Sequence, residues 1–144
     1  MTADELPTFI AIYRVERLVE ERRQAGEPLP PFGSDDWLID PARRVELLAM
    51  VQSFLEPDET LLPCYLRYRK SGKTLRLMVD VAMRHGARCF FDGRGKGECS
   101  SELDLDRIIP GTRGGEYTLE NCHIVCSRHN RERGDRSIEE YLCA

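Results

Sequence analysis

Residues 103–115 read "LDLDRIIPGTRGG", and the rest of the chain is best understood outward from them. Leu103, Asp104, Leu105 and Asp106 alternate apolar and acidic residues, which predicts a strand with both carboxylates on one face. Arg107 follows directly, and Gly114 and Gly115 let the long loop that follows turn. Two carboxylates sharing a face cost several kcal/mol to bury unless a cation or a partner neutralises them, so this strand points to a polar site rather than to packing.

The surrounding residues have a matching texture from Arg88 onward. Short apolar runs, "CFF", "ELDLDRII" and "NCHIVC", predict strands separated by glycine-rich loops. A helix is expected from Ser127 to Arg133, ended by Gly134. Ser137 with Glu140 forms a capping box that starts a last short helix through Tyr141.

Residues 1–85 read differently. Helical spacing of apolar residues covers 8–25, and Gly26 with "EPLPPFGSDDW" forms a linker. Asp40-Pro41 is an N-cap with proline at the first helical position, predicting a helix to about Leu55 that Pro57 closes. Further helices are expected over 60–69 and, after Ser71-Gly72, over 73–84. The fold class expected is therefore α+β, with a helical N-terminal region over 1–85 and a small strand-and-helix domain over 86–144.

Bulk properties restrict the function classes. The 144 residues suit one domain, or one small domain with an extension, and 41% apolar residues suffice for a core. No run of about 18 apolar residues is present, so no membrane span is expected. The opening "MTADELPTF" lacks the apolar core of a signal peptide, and a cytoplasmic location is expected. The net charge of −4 does not announce a nucleic-acid binder, but it is unevenly spread. Residues 1–66 carry net −7, residues 67–83 net +4 and residues 84–144 net −1. A basic segment, "RYRKSGKTLR", thus adjoins a mixed domain; it suits phosphate contacts or a solvated helix face. Tyr65 and Tyr68, which flank it, read as helix core.

Cysteine placement implies a metal. In a cytosolic chain disulfides are disfavoured, and four of the six cysteines (Cys89, Cys99, Cys122 and Cys126) cluster in the C-terminal half. Cys126 and His129 form a C-x2-H pair, and Cys89 opens the other half of a zinc knuckle. The fourth ligand is expected to be Cys99, with Asp92 as the alternative: thiolate softness favours Cys99, and the usual C-x2-C spacing favours Asp92. The bland alternative makes Cys89 and Cys126 small buried hydrophobes and His129 a core histidine. Cys64, Cys122 and Cys143 read as packing or surface thiols.

Taken together, residues 89–142 resemble an HNH endonuclease domain of the ββα-metal fold. The resemblance rests on the acidic residues before the first motif position, Ile108-x-Pro110, Gly114-Gly115, Asn121, the Cys126-x2-His129-Asn130 run, and the Arg133-Gly134-Asp135 that follows. Residues 1–85 carry no such resemblance. It implies that Asp106 and Asn130, helped by Asp104, hold a catalytic Mg2+ or Mn2+, that Asn121 holds the loop and orients the catalytic residue, and that a structural Zn2+ sits in the knuckle. It implies a metal-dependent DNA endonuclease that hydrolyses phosphodiester bonds with a metal-activated water. Arg113, Arg128, Arg131 and Arg133 would then hold the DNA backbone, each with a solvated surface as the alternative.

Arg107 departs from the pattern, which places a general-base histidine there. A guanidinium keeps its proton across the neutral range and cannot act as a base; it can clamp phosphate or stabilise developing charge. Proton removal would fall to His123, to His85, to Tyr117 with a cation or arginine nearby, or to water acidified by the cation. The competing expectation is a catalytically inactive zinc module of the same fold that binds nucleic acid or a protein partner, with Arg107 paired to Asp104 or Asp106. For the acidic 1–66 segment a protein partner or a second copy is expected rather than DNA.

Overall fold

The computed structural model describes residues 1–55 and 62–144. The chain is α+β: helices α1 (Leu6–Gln24), α2 (Asp36–Ile39), α3 (Pro41–Gln52) and α4 (Leu62–His85) precede strand β1 (Leu103–Arg107), a 3-10 turn over Gly111–Arg113, strand β2 (Cys122–Cys126) and helices α5 (Ser127–Arg133) and α6 (Ile138–Cys143). It divides into two compact units, residues 7–72 and residues 1–6 with 73–144. The second half of α4 therefore clusters with the strands, as do the first six residues. No helix among the described residues is long and apolar enough to cross a membrane.

In the helical unit, α1 buries Phe9, Ile12, Val15 and Val19 along one stripe, the spacing a helix packed on one side requires. Trp37 is fully buried, and its indole N–H donates to the carbonyls of Pro30 and Pro31 at 3.2 and 3.1 Å. Tyr65 and Tyr68 are core residues, with the ring of Phe32 edge-on to both. Asp40 caps α3 as its sequence predicts: the carboxylate accepts from the Ala42 N–H at 3.0 Å, with Pro41 at the first helical position. The two helices expected over 60–69 and 73–84 are one element with a break at Gly72, where φ is 66°; residues 60 and 61 of the first lie outside the described residues. That left-handed φ is readily adopted only by glycine.

The other unit is built on a two-stranded antiparallel sheet, in which Asp104 pairs with Val125, Asp106 with His123 and Arg107 with Cys122. All five residues of β2 are buried, so this strand is the spine of the core. The outer edge of β1 is covered by the first residues of the chain: Leu103 N–H donates to the Met1 carbonyl at 2.7 Å, and Ala3 N–H to that of Ser101 at 2.9 Å. Phe91, fully buried, meets the Tyr141 ring edge-on at 4.9 Å.

"CFF" departs from the expected strand. Phe90 makes one bond to β2, donating to the Ile124 carbonyl at 2.8 Å. The chain then folds back, with Asp92 N–H on the Cys89 carbonyl and Arg94 N–H on that of Phe91. A turn here aims the Cys89 sulfur at α5, which an extended strand would not do. The helix over Ser127–Arg133, its stop at Gly134 and the Ser137 cap all form where the sequence puts them.

Candidate functional site

Two constellations sit on either side of the β2–α5 junction. The first is the cysteine–histidine cluster. Cys89 comes from the turn, Cys99 from the glycine-rich loop, Cys126 from the end of β2 and His129 from the first turn of α5; their ligand atoms all lie within 4.8 Å of one another. His129 Nδ1 stands 3.5 Å from Cys89 Sγ, 3.7 Å from Cys99 Sγ and 3.2 Å from Cys126 Sγ. Zinc bonds of about 2.3 Å to sulfur and 2.0 Å to nitrogen at tetrahedral angles require about 3.5 Å between such atoms, so the spacing fits a zinc-sized cation. The tautomer fits as well. His129 Nε2 donates to the Lys96 carbonyl at 3.0 Å, leaving Nδ1 with its lone pair toward the three sulfurs. Cys99 completes the cluster, and Asp92 does not belong to it.

The thiols themselves argue for a cation. Burial, then the neighbouring Cys89 and Cys126 thiols, push Cys99 up to about 12. Burial would also raise Cys126, but the His129 backbone N–H and Ser100 bond to its sulfur, and it falls to about 7. Three sulfurs this close cannot all ionise without a positive charge among them. This cluster can hold a metal such as zinc. Arg128 braces its loop, bonding the carbonyls of Glu98 and Lys96.

The second constellation surrounds Asp106. Its carboxylate oxygen Oδ2 accepts from His123 Nε2 at 3.1 Å and from Arg133 Nη1 at 2.8 Å. Arg133 is 1% exposed. It also donates to the carbonyls of Arg107 (2.9 Å), Ile108 and Arg136 (2.8 Å), tying the end of β1 to the end of α5. Asn130 Nδ2 donates to Asp104 Oδ2 at 3.1 Å. Asp106 Oδ1 and the Asn130 side-chain oxygen have no partner among the described residues. Asp106, Arg107 and Asn130 line one cavity of about 630 Å3, with Thr112, Tyr117 and Asp135 also on its wall. Arg107 lies over the Tyr117 ring, its guanidinium carbon 4.4 Å from the ring centre.

The loop between the strands is held by Asn121. Its side chain accepts from the Ile109 N–H at 2.9 Å and donates to the carbonyls of Ile109 and Glu116 at 3.2 and 2.9 Å. Gly115 is required by the same packing, because a Cβ there would overlap the Ile109 carbonyl oxygen.

Several residues sit elsewhere than a phosphate-facing reading expects. Arg133 is buried on Asp106, Arg113 pairs with Glu140 through two bonds at 2.8 and 3.3 Å, and Arg128 pairs with Glu132 at 3.1 Å. Arg131 carries no carboxylate partner among the described residues; its guanidinium bonds the Ser127 carbonyl within its own helix. His123 is 5% exposed, lies against the rings of Phe90 and Phe91, and is not among the residues lining the Asp106 cavity. In that position it orients Asp106. His85 is likewise outside the cavity and bonds the Leu119 carbonyl at 3.1 Å. Arg107 pairs with neither Asp104 nor Asp106, but stacks on Tyr117. Asp135, to which the sequence assigned no site role, also lines the cavity; its position straight after Gly134, at the end of α5, was the available signal.

Comparison with family models, with curated proteins and with solved structures returns no match to this chain.

Proposed function

We propose that this chain is a metal-dependent endonuclease that hydrolyses phosphodiester bonds in DNA. The reading is carried by one observation: Asp106, Asn130 and Arg107 line a single cavity, and the bonds to Asp106 and Asn130 engage Oδ2 of the one and Nδ2 of the other. Hard oxygen donors of this kind suit Mg2+ or Mn2+, so the residues present fit the cation that the HNH resemblance implies. When bound, that cation would acidify an attacking water and neutralise the leaving oxygen.

The remaining work falls to the chain's own residues. Arg133 and His123 take up Oδ2 of Asp106 and leave Oδ1 for a ligand. Arg107, permanently charged, holds a non-bridging phosphate oxygen and stabilises the charge that builds on it. Asn121 fixes the loop that carries Arg107's neighbours Ile109 and Gly111. The knuckle, loaded with zinc, sets the start of α5 and so places Asn130.

A second reading is favoured by a different observation. Asp106 already has a buried guanidinium and an imidazole on one oxygen, and a carboxylate so neutralised needs no cation. On that reading the fold is an inactive zinc module that binds nucleic acid or a protein. Cleavage of plasmid DNA with Mg2+ or Mn2+, comparing the wild type with Asp106→Ala and Asn130→Ala, separates the two.

A further inference from the structure

A second depression adjoins the Asp106 cavity and differs from it in chemistry. It measures about 580 Å3 and is walled mainly by apolar side chains, Leu77 and Met78 from the second half of α4, Leu103 and Leu105 from β1 and the ring of Tyr117, with Thr74 and Asp104 as polar members of its wall beside Asn130. Tyr117, Leu105 and Asn130 line both spaces, so the two adjoin at Asn130, proposed to hold the cation, and at the ring on which the phosphate-holding Arg107 lies. Tyr117 is 55% exposed, and the Arg107 guanidinium lies over its ring. The volume lies within the roughly 300–1,000 Å3 that encloses a group of small-molecule size.

We infer that this cleft receives one unstacked nucleobase next to the scissile phosphate, so that the preferred substrate is a nucleic acid with unpaired nucleotides at the cut site. This rests on the hydrolase reading above and adds a substrate class to it. A base inside a duplex shows a protein only its polar edge, because its faces are covered by neighbouring bases. Apolar walls and an aromatic ring interact with a base through its face, which is available only after the base has left the stack. The ordering of the two spaces matches a nucleotide: a charged group over Arg107 and Asp106, and a mainly apolar wall one step away. Arg107 acts in both, since the guanidinium that meets phosphate also lies against the ring that meets the base.

The test uses the full, zinc-loaded chain with Mn2+ and one labelled oligonucleotide sequence, offered as a single strand and as a blunt duplex. The single strand should be cut at least about ten-fold faster, the size of one aromatic stack. Tyr117→Ala and Leu77→Asp should each narrow that ratio, and Tyr117→Trp should keep it, with zinc content and circular dichroism unchanged in all three. Equal cutting of both substrates, or a ratio that Tyr117→Ala leaves intact, would overturn the inference. Duplex cleavage that depends on Asp106 but shows no preference for unpaired substrate would leave the hydrolase standing and remove the cleft's role. Cleavage of neither form would remove both.

Discussion

Arg133, at the end of α5, places a fully buried guanidinium 2.8 Å from the carboxylate of Asp106, near the end of β1. The pair joins helix to strand at the point where the candidate site opens. Breaking a buried pair from one side leaves an uncompensated charge. Arg133→Met is therefore expected to cost about 3–5 kcal/mol of unfolding free energy. Arg133→Lys should cost less, because it keeps the charge and loses only the fork of bonds to the three carbonyls. Denaturant titration of both variants, with Asp106→Asn to complete a double-mutant cycle, measures the coupling.

The cysteine cluster should bind one zinc per chain. Cys89→Ser, Cys99→Ser and Cys126→Ser should each lower zinc content measured by mass spectrometry, whereas Asp92→Asn should leave it unchanged. Cobalt substitution should give the intense visible bands of tetrahedral thiolate ligation. A visible spectrum without them would contradict tetrahedral metal binding by these cysteines.

Without metal, the same thiols give stability a pH optimum. Cys126 is held down at about 7, so its contribution is present above the ordinary thiol value and is lost as pH falls through about 7. Cys99 is pushed up to about 12, so its contribution is present below the ordinary value and is lost as pH rises toward about 12. Thermal unfolding of the chelated protein should thus be most resistant between those limits. Zinc affinity should rise with pH, since Cys99 must release a proton to bind.

The loop between the strands should be sensitive at one glycine and tolerant at its neighbour. Gly115→Ala drives a Cβ into the Ile109 carbonyl and forces the backbone to move, so the Asn121 bonds break with it. Gly114 has open space around it and only a left-handed φ of 86°, so Gly114→Ala should cost about 1–2 kcal/mol. Asn121→Ala removes three bonds worth about 1 kcal/mol each. Thermal shifts should rank Gly114→Ala as the mildest of the three.

Much of this unit was legible in the sequence because its signals are local. The strand alternation through Asp106, the Gly134 stop after α5 and the Ser137 cap depend on neighbours a few residues apart. The helical break at Gly72 was legible for the same reason. The turn at Phe90 and Phe91 was not, because three apolar residues read as strand until the partner ligands on α5 are in place. Arg133 was not either. A basic residue in the last turn of a helix is ordinarily solvated, and only the tertiary approach of β1 turns it inward to Asp106. Cys99 was legible over Asp92 through thiolate softness, whereas the spacing rule pointed to Asp92 because it does not describe the path of a glycine loop.

The most direct measurement is cleavage of DNA, single-stranded and duplex, by the zinc-loaded chain with Mg2+ or Mn2+, set beside Asp106→Ala and Asn130→Ala. The account predicts metal-dependent cutting by the wild type and at least a hundred-fold loss, on the order of 3 kcal/mol of barrier, in both variants. A folded, zinc-loaded wild type that cuts neither form with either metal, or variants that cut as well as it does, would contradict the account.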